Sequence, residues 1–535
     1  MAIHRSLGKI IIPSSHLPTW FFVIGYPLFW VELSTHSASN GVTSMLGWFL
    51  FGCVALCCCV RRPNTLVLAK SFSNGTAVEK LLWSIGFGLA LSIVGIVVVA
   101  SLKPVHLLQE SDCLQYHYAL PRQHLILGSF AHIPWAADDL FLLPMDFALA
   151  PFWFATVLPN KIPQLIIFFG LISISMRLTS ALATERRPWV GALVGLVILG
   201  THGFGIQMGT GMLDLAVAYL FLASLDSLRL GNWFLAGVEF TFFFWSKPLM
   251  PVGVSIIAGV WAFAFVLVRR SHWQITGMFI LKHWQRALGV FIIMSVVVAG
   301  PFIAKSVDYA GTPFFPLMPG VMLTGGEIKT HPKAWQSLLS ASQAWMVASK
   351  NSHGHGRDFI SFIKHWWLLA VPEKDVNNAF DYPLGLTYLL LIGPFLFFLI
   401  KDIRLGKFSP LSVLAVIIWG LWWFGPQESR FLYLPLLIIF IVSIARLEKI
   451  PRVFFICLLI SLFLQAISLW GAHKTDVGRW GTDVLRDQDK KLLELNEHYL
   501  AHALSNYIDW PTHDVAYAQF PVVVRKESLP HTILF

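Results

Sequence analysis

The stretch Glu110-Ser111-Asp112-Cys113-Leu114-Gln115-Tyr116-His117 sets two carboxylates directly after an apolar run that ends near Ala100. That run, Lys80 to Ser101, is long enough to cross a bilayer, since about 20 helical residues span the hydrocarbon core. A carboxylate just outside such a span is placed to accept a proton, hold a metal or fix a substrate. The plainer alternative is an acidic loop that only solvates itself.

Outward from this point the chain is dominated by lipid-compatible residues. Of 535 residues, 56% are hydrophobic and 13% charged, a balance that favours lipid over water for most of the length. The expected fold class is therefore all-α: a polytopic transmembrane bundle of about thirteen spans, running from Leu17–Leu33 to Val453–Trp470. The net charge of +10 comes from Lys and Arg scattered in short clusters between apolar runs. Such clusters orient membrane proteins and give no nucleic-acid signal. Of six cysteines, Cys53, Cys57, Cys58, Cys59 and Cys457 lie in apolar runs and Cys113 in the acidic stretch. No CxxC pair supports a redox or zinc role. Arg5 and Lys9 precede a run without a small-residue cleavage site, which reads as a retained first span.

Charge asymmetry then sets topology. Arg5, Lys9, Arg61, Arg62 and Lys70 flank the first spans on one side, whereas residues 34–44 hold no Lys or Arg, so the amino terminus is expected to be cytoplasmic. Arg186-Arg187, Arg229, Arg269-Arg270, Lys401–Lys407 and Arg446–Arg452 all fall inside only if Leu140–Leu158 does not cross. Pro144, Asp146 and Pro151 disfavour a lone lipid-exposed helix there, so one or two interfacial helices on the outer face are expected, with a plain span as the alternative. The chain divides into residues 1–79, two amino-terminal spans and a basic cytoplasmic loop; 80–470, the main transmembrane domain with outer loops 102–161 and 305–382; and 471–535, an extracytoplasmic tail.

Unusual polar groups collect at the outer boundary of this topology: Glu110, Asp112, Asp138, Asp139, Asp214, Lys247, Glu428 and Arg430. Each has a bland counterpart, since Asp214 suits a helix start, Lys247 suits snorkelling to headgroups and Arg430 suits a loop. An outer arginine nevertheless opposes the positive-inside trend, which raises its value as a phosphate ligand. His117, His124, His132, His353 and His355 match no strong metal motif, and a divalent metal stays open. A carboxylate with a boundary Lys and Arg suits a substrate whose phosphate lies at the membrane surface and whose leaving group stays in lipid, such as a polyprenyl-phosphate sugar.

Asp112-Cys113-Leu114-Gln115-Tyr116-His117-Tyr118-Ala119-Leu120-Pro121 resembles a D-x-x-x-Y-H-x-x-x-P pattern in the first outer loop of the GT-C class of integral-membrane glycosyltransferases. The likeness is to the bacterial group related to protein O-mannosyltransferases and lipid A aminoarabinose transferases. Further blocks follow in that family's order: Gly128 and Pro134–Leu140 with Asp138-Asp139; Leu213-Asp214-Leu215; Gly237 to Lys247-Pro248; Pro301, Lys305 and Gly311–Pro316; and Gln427-Glu428-Ser429-Arg430-Phe431. The resemblance covers about Lys80 to Ala445. It implies a GT-C fold and sugar transfer from a polyprenyl-phosphate donor on the outer face of the bacterial cytoplasmic (inner) membrane. By position it makes Asp112 the catalytic base and Asp138, Asp139 or Glu110 the second acidic group. Lys247 and Arg430 become donor-phosphate ligands expected to converge on the Asp112 cavity, with Tyr116, His117, Asp214 and Lys305 in support. Thr312 stands where the family has Asn and Phe431 where it has Tyr, and two spans precede the family-like part.

The competing reading is a non-catalytic GT-C-fold subunit or scaffold of a larger membrane assembly. A transporter is disfavoured because the charges lie at one face and no inverted repeat is visible.

Overall fold

In the computed structural model, the described residues are 14–35, 42–59, 76–102, 113–133, 137–153, 161–183, 188–246, 253, 259, 274–275, 284–313, 315, 354, 356–371, 380 and 383–477. They are helical throughout, apart from short turns and a two-residue parallel pairing of Gln274-Ile275 with Lys407-Phe408. The helices are α1 (Thr19–Thr35), α2 (Val42–Cys59), α3 (Ala77–Ser101), α4 (Ala119–Leu127), α5 (Pro144–Trp153), α6 (Ile162–Leu182), α7 (Pro188–Gly200), α8 (His202–Gln207), α9 (Asp214–Leu230), α10 (Trp233–Phe244), α11 (Trp284–Ala310), α12 (Phe359–Leu368), α13 (Leu386–Arg404), α14 (Pro410–Phe424), α15 (Tyr433–Arg446) and α16 (Arg452–Val477). Among the described residues, six stretches are long and apolar enough to cross a membrane: α3, α6, α11, α13, Ser429–Arg446 and Arg452–Gly471. Shorter apolar helices join them at Val42–Leu56, Trp189–Gly200, Trp233–Phe244 and Pro410–Phe424. The expected span Leu249–Val268 lies outside the described residues except for positions 253 and 259.

Local chemistry sets two of the helix ends. Thr76 and Glu79 form a reciprocal capping box, Glu79 N–H donating to Thr76 Oγ1 at 3.3 Å and Thr76 N–H to Glu79 Oε2 at 2.9 Å, which starts α3. Left-handed Gly231 stops α9. At the centre, α15 is apolar nearly all round and buries every residue from Tyr433 to Ala445, the pattern of a helix enclosed by others. It packs on α6, α7, α13 and α14, and α9 packs on α6 and touches α15.

Helix α5 occupies the region where interfacial helices are expected. Its ten described residues rise about 15 Å, and residues 154–158 of the expected segment lie outside the described residues. All ten are buried, chiefly against α1. The approach is close: a Cβ at Gly25 would lie 1.8 Å from the Ala148 carbonyl oxygen, so only glycine admits this contact. Helix α1 thus belongs to the core, and its Tyr26 hydroxyl donates to the Val298 carbonyl of α11 at 2.8 Å.

The turn Ser14–His16 ahead of α1 enters the bundle beside α6, α9 and α10. His16 meets Glu239 Oε1 through Nδ1 at 2.8 Å and Asp226 Oδ2 through Nε2 at 3.1 Å, with all three side chains fully buried. Arg177 and Arg229 also donate to Asp226, at 3.1 and 2.6 Å, while Thr19 and Ser227 donate to Glu239 at 2.8 and 2.7 Å. At the same end of the bundle Arg446 of α15 pairs with Asp402 of α13 at 2.7 Å.

Candidate functional site

The other end of the bundle gathers most of the sequence-selected residues that are described. Ser101 ends α3, and Gly209, at φ +78°, brings the loop between α8 and α9 onto Ala100 and Ser101, where a Cβ would come within 2.9 Å. Gln164, near the start of α6, donates to the Gly211 carbonyl at 3.3 Å. Lys305 lies near the end of α11, and Arg430 in the turn between α14 and α15. Glu110, Asp112 and Lys247, together with His353 and His355, lie outside the described residues, as does the side chain of Asp138.

Asp139 is the hub of one cluster. The short turn Ala137–Leu140 buries its carboxylate. Oδ1 meets His124 Nε2 at 2.6 Å and accepts from Lys305 Nζ at 2.7 Å; Oδ2 accepts from the Ile133 N–H at 2.9 Å and faces His132 Nδ1 at 3.2 Å. Burial alone would raise the Asp139 pKa. The Lys305 ammonium and His124 outweigh it and, with hydrogen bonds from both histidines, hold it well below the ordinary carboxylate range. Burial pushes the His132 pKa down. The Lys305 ammonium sits 4.2 Å from the Phe130 ring centre and is also flanked by Phe302 and Phe147. A carboxylate with four partners and a depressed pKa is a poor general base. Its chemical effect is to fix Lys305 and both histidines, tying the Ala137–Leu140 turn to α11.

A second acid–base pair adjoins the first. The π-helical turn Cys113–His117 starts immediately after Asp112 in the sequence. It is seated by Cys113 Sγ, 3.7 Å from Met212 Sδ, and by the approach of Tyr118 to Gly211. It directs His117 inward, where Nδ1 is 3.0 Å from Asp146 Oδ2 and both side chains are 1% exposed. His117 Nε2 is buried without a hydrogen-bond partner among the described residues. Tyr116 packs against His117 with ring centres 4.3 Å apart and planes tilted by 54°. The next residue after Asp146, Phe147, contacts the His124 ring and Phe302. The two clusters are therefore neighbours.

Asp214 and Arg430 flank the short helix α8. Gln207, at its end, donates to Asp214 Oδ2 at 2.7 Å; Gly203, near its start, accepts from the Tyr433 hydroxyl at 2.6 Å, three residues after Arg430. Arg430 donates to Glu428 Oε2 at 2.6 Å and lies 5.6 Å from the Phe431 ring centre. Its guanidinium is 19% exposed, so it keeps a face toward the outside of the protein.

Sequence reasoning did not single out Asp146 as a functional group. Its only signal was a charge within an apolar segment, which read as a reason against a span. Among the described residues, no group of three His, Cys, Asp or Glu side chains is arranged to hold a metal ion.

No family model and no curated protein matches the chain. Among solved structures, it is similar to the crystal structure of ArnT from Cupriavidus metallidurans bound to undecaprenyl phosphate. The TM-score is 0.40 at 12% identity, over 83% of this chain and 68% of that one.

Proposed function

We propose that this chain is a GT-C-type glycosyltransferase that moves a sugar from a polyprenyl-phosphate donor to an acceptor on the outer face of the cytoplasmic membrane. The observation that carries this reading is the gathering of separate sequence blocks. His117, Asp139, Asp214, Lys305 and Arg430 come from motifs spread over more than half the chain, and they collect at one end of the helical bundle. Arg177, Arg229 and Arg446 mark the opposite end, which is cytoplasmic by the positive-inside rule. A donor of this kind keeps its chain in lipid and its phosphate at the interface. Asp112 is proposed to act on the acceptor, and the partly exposed Arg430, with Lys247, to hold the phosphate as it departs.

One observation favours the scaffold reading instead. Asp139 and Lys305 satisfy each other inside the protein, as a structural keystone would.

The test is release of polyprenyl phosphate from a radiolabelled polyprenyl-phosphate hexose or pentose by the purified protein in liposomes, with an envelope lipid extract as acceptor. Transfer by the wild-type chain and its loss in Asp112→Asn, at equal expression, is expected. Absence of transfer from every donor leaves the scaffold reading standing.

A further inference from the structure

We infer that His117, oriented by Asp146, is a catalytic residue that takes the acceptor's proton on Nε2; the inference rests on the transferase reading above. Two observations point to it. The Nδ1 side is held by a carboxylate at 3.0 Å, which fixes the ring and favours the tautomer with hydrogen on Nδ1 and a lone pair on Nε2. The Nε2 side is buried and meets no partner among the described residues, although leaving a buried polar atom unpaired is costly. A histidine serving only the core would satisfy both nitrogens, as His124 does with Ser129 and Asp139. The π-helical turn that carries His117 is itself a costly local geometry, which recurs where a side chain must be aimed.

In the step this arrangement suits, the acceptor hydroxyl oxygen bonds to the anomeric carbon while the bond from that carbon to the phosphate oxygen breaks. The electron pair leaves on polyprenyl phosphate. The hydroxyl proton passes to His117 Nε2, and the imidazolium formed is stabilised by Asp146 until it gives the proton to water. Asp112 keeps its proposed action on the acceptor, holding the hydroxyl whose proton His117 takes. Among the described residues His117 meets Asp146 on α5 and Tyr116 on its own turn, which also carries Cys113 and leads into Tyr118, while Phe147, next to Asp146, touches the His124 ring and the Lys305 ammonium.

The experiment is the same polyprenyl-phosphate release assay run from pH 5 to 9, paired with 15N ring spectra of histidine-labelled protein in lipid. His117→Gln is expected to lower kcat about 100-fold or more, the ordinary worth of a positioned base. Asp146→Asn should lower kcat and move the acidic limb of the profile, and Asp146→Glu should restore part of both. The wild-type spectrum should contain a histidine protonated on Nδ1 and bare on Nε2, absent from His117→Gln. Transfer by His117→Gln within threefold of wild type, an unmoved limb in Asp146→Asn, or Nε2 protonated in the neutral wild-type ring would each overturn the assignment while leaving the transferase intact. If the wild-type chain releases polyprenyl phosphate from no donor, the transferase reading fails and the assignment of a base fails with it.

Discussion

Replacing His16 by Gln tests how much the buried network around Asp226 and Glu239 holds α1 in place. His16 is fully buried between Glu239 and Asp226. Burial alone would lower its pKa, but the two carboxylates outweigh burial and raise it from 6.5 to about 9. At about 1.4 kcal/mol per tenfold change in proton affinity, that rise corresponds to roughly 3 kcal/mol of stability. The sign follows from linkage: a raised folded-state pKa contributes fully below pH 6.5, and the contribution is lost as pH climbs through about 9. Wild-type protein in detergent should therefore lose about 3 kcal/mol between pH 6.5 and 9.5 in SDS unfolding followed by tryptophan fluorescence. His16→Gln should be flat across that window. At pH 6.5 it should already be weaker by about 3–5 kcal/mol, because two buried carboxylates lose a cation and keep only the arginines and hydroxyls. A wild-type curve without the decline, or a variant within about 1 kcal/mol of wild type at pH 6.5, would refute the network's role.

Three further outcomes are expected. Lys305→Met alone should destabilise by about 3–5 kcal/mol by stranding Asp139, whereas adding Asp139→Asn should recover part of the loss, as thermal denaturation of the single and double variants will show. Because Asp139 is held well below the ordinary carboxylate range, its contribution is complete above pH about 4 and is lost only in stronger acid. Gly25→Val should sharply lower the yield of folded protein, since the new Cβ would overlap the Ala148 carbonyl and push α1 off α5; size-exclusion chromatography reads this out. A cysteine placed at Glu185 should react with a membrane-impermeant probe only from the cytoplasmic side, and labelling from outside would invert the topology.

The all-helical class was legible because composition and run length report directly on lipid solubility. Where the reading of α5 thinned, the reason is physical: Pro144, Asp146 and Pro151 look like marks of a poor lipid-facing helix, and periodicity does not reveal that other helices enclose all ten residues. Asp139 and Lys305 were both selected, yet their pairing joins positions 166 residues apart, a distance no local pattern encodes. His16 carried no signal at all, because its partners Asp226 and Glu239 lie within apolar runs more than 200 residues downstream. The resemblance supplied roles for Asp112 and Lys247, whereas the pair His117–Asp146 emerged only from coordinates.

The depth at which α1 is embedded has a consequence for how the chain is made. It leaves the ribosome early, but its polar anchor Glu239 follows 223 residues later and its contact with Val298 272 residues after Tyr26. At about 5–20 residues per second, the emerging helix waits roughly 10–45 s before Glu239 exists. Until Asp226 is made, 210 residues after His16, that side chain has neither carboxylate to face, although α5 is already there for Gly25. The charged anchor of this entry turn therefore forms only after more than 200 further residues have been synthesised, whereas the apolar seat of α1 on α5 is available much sooner.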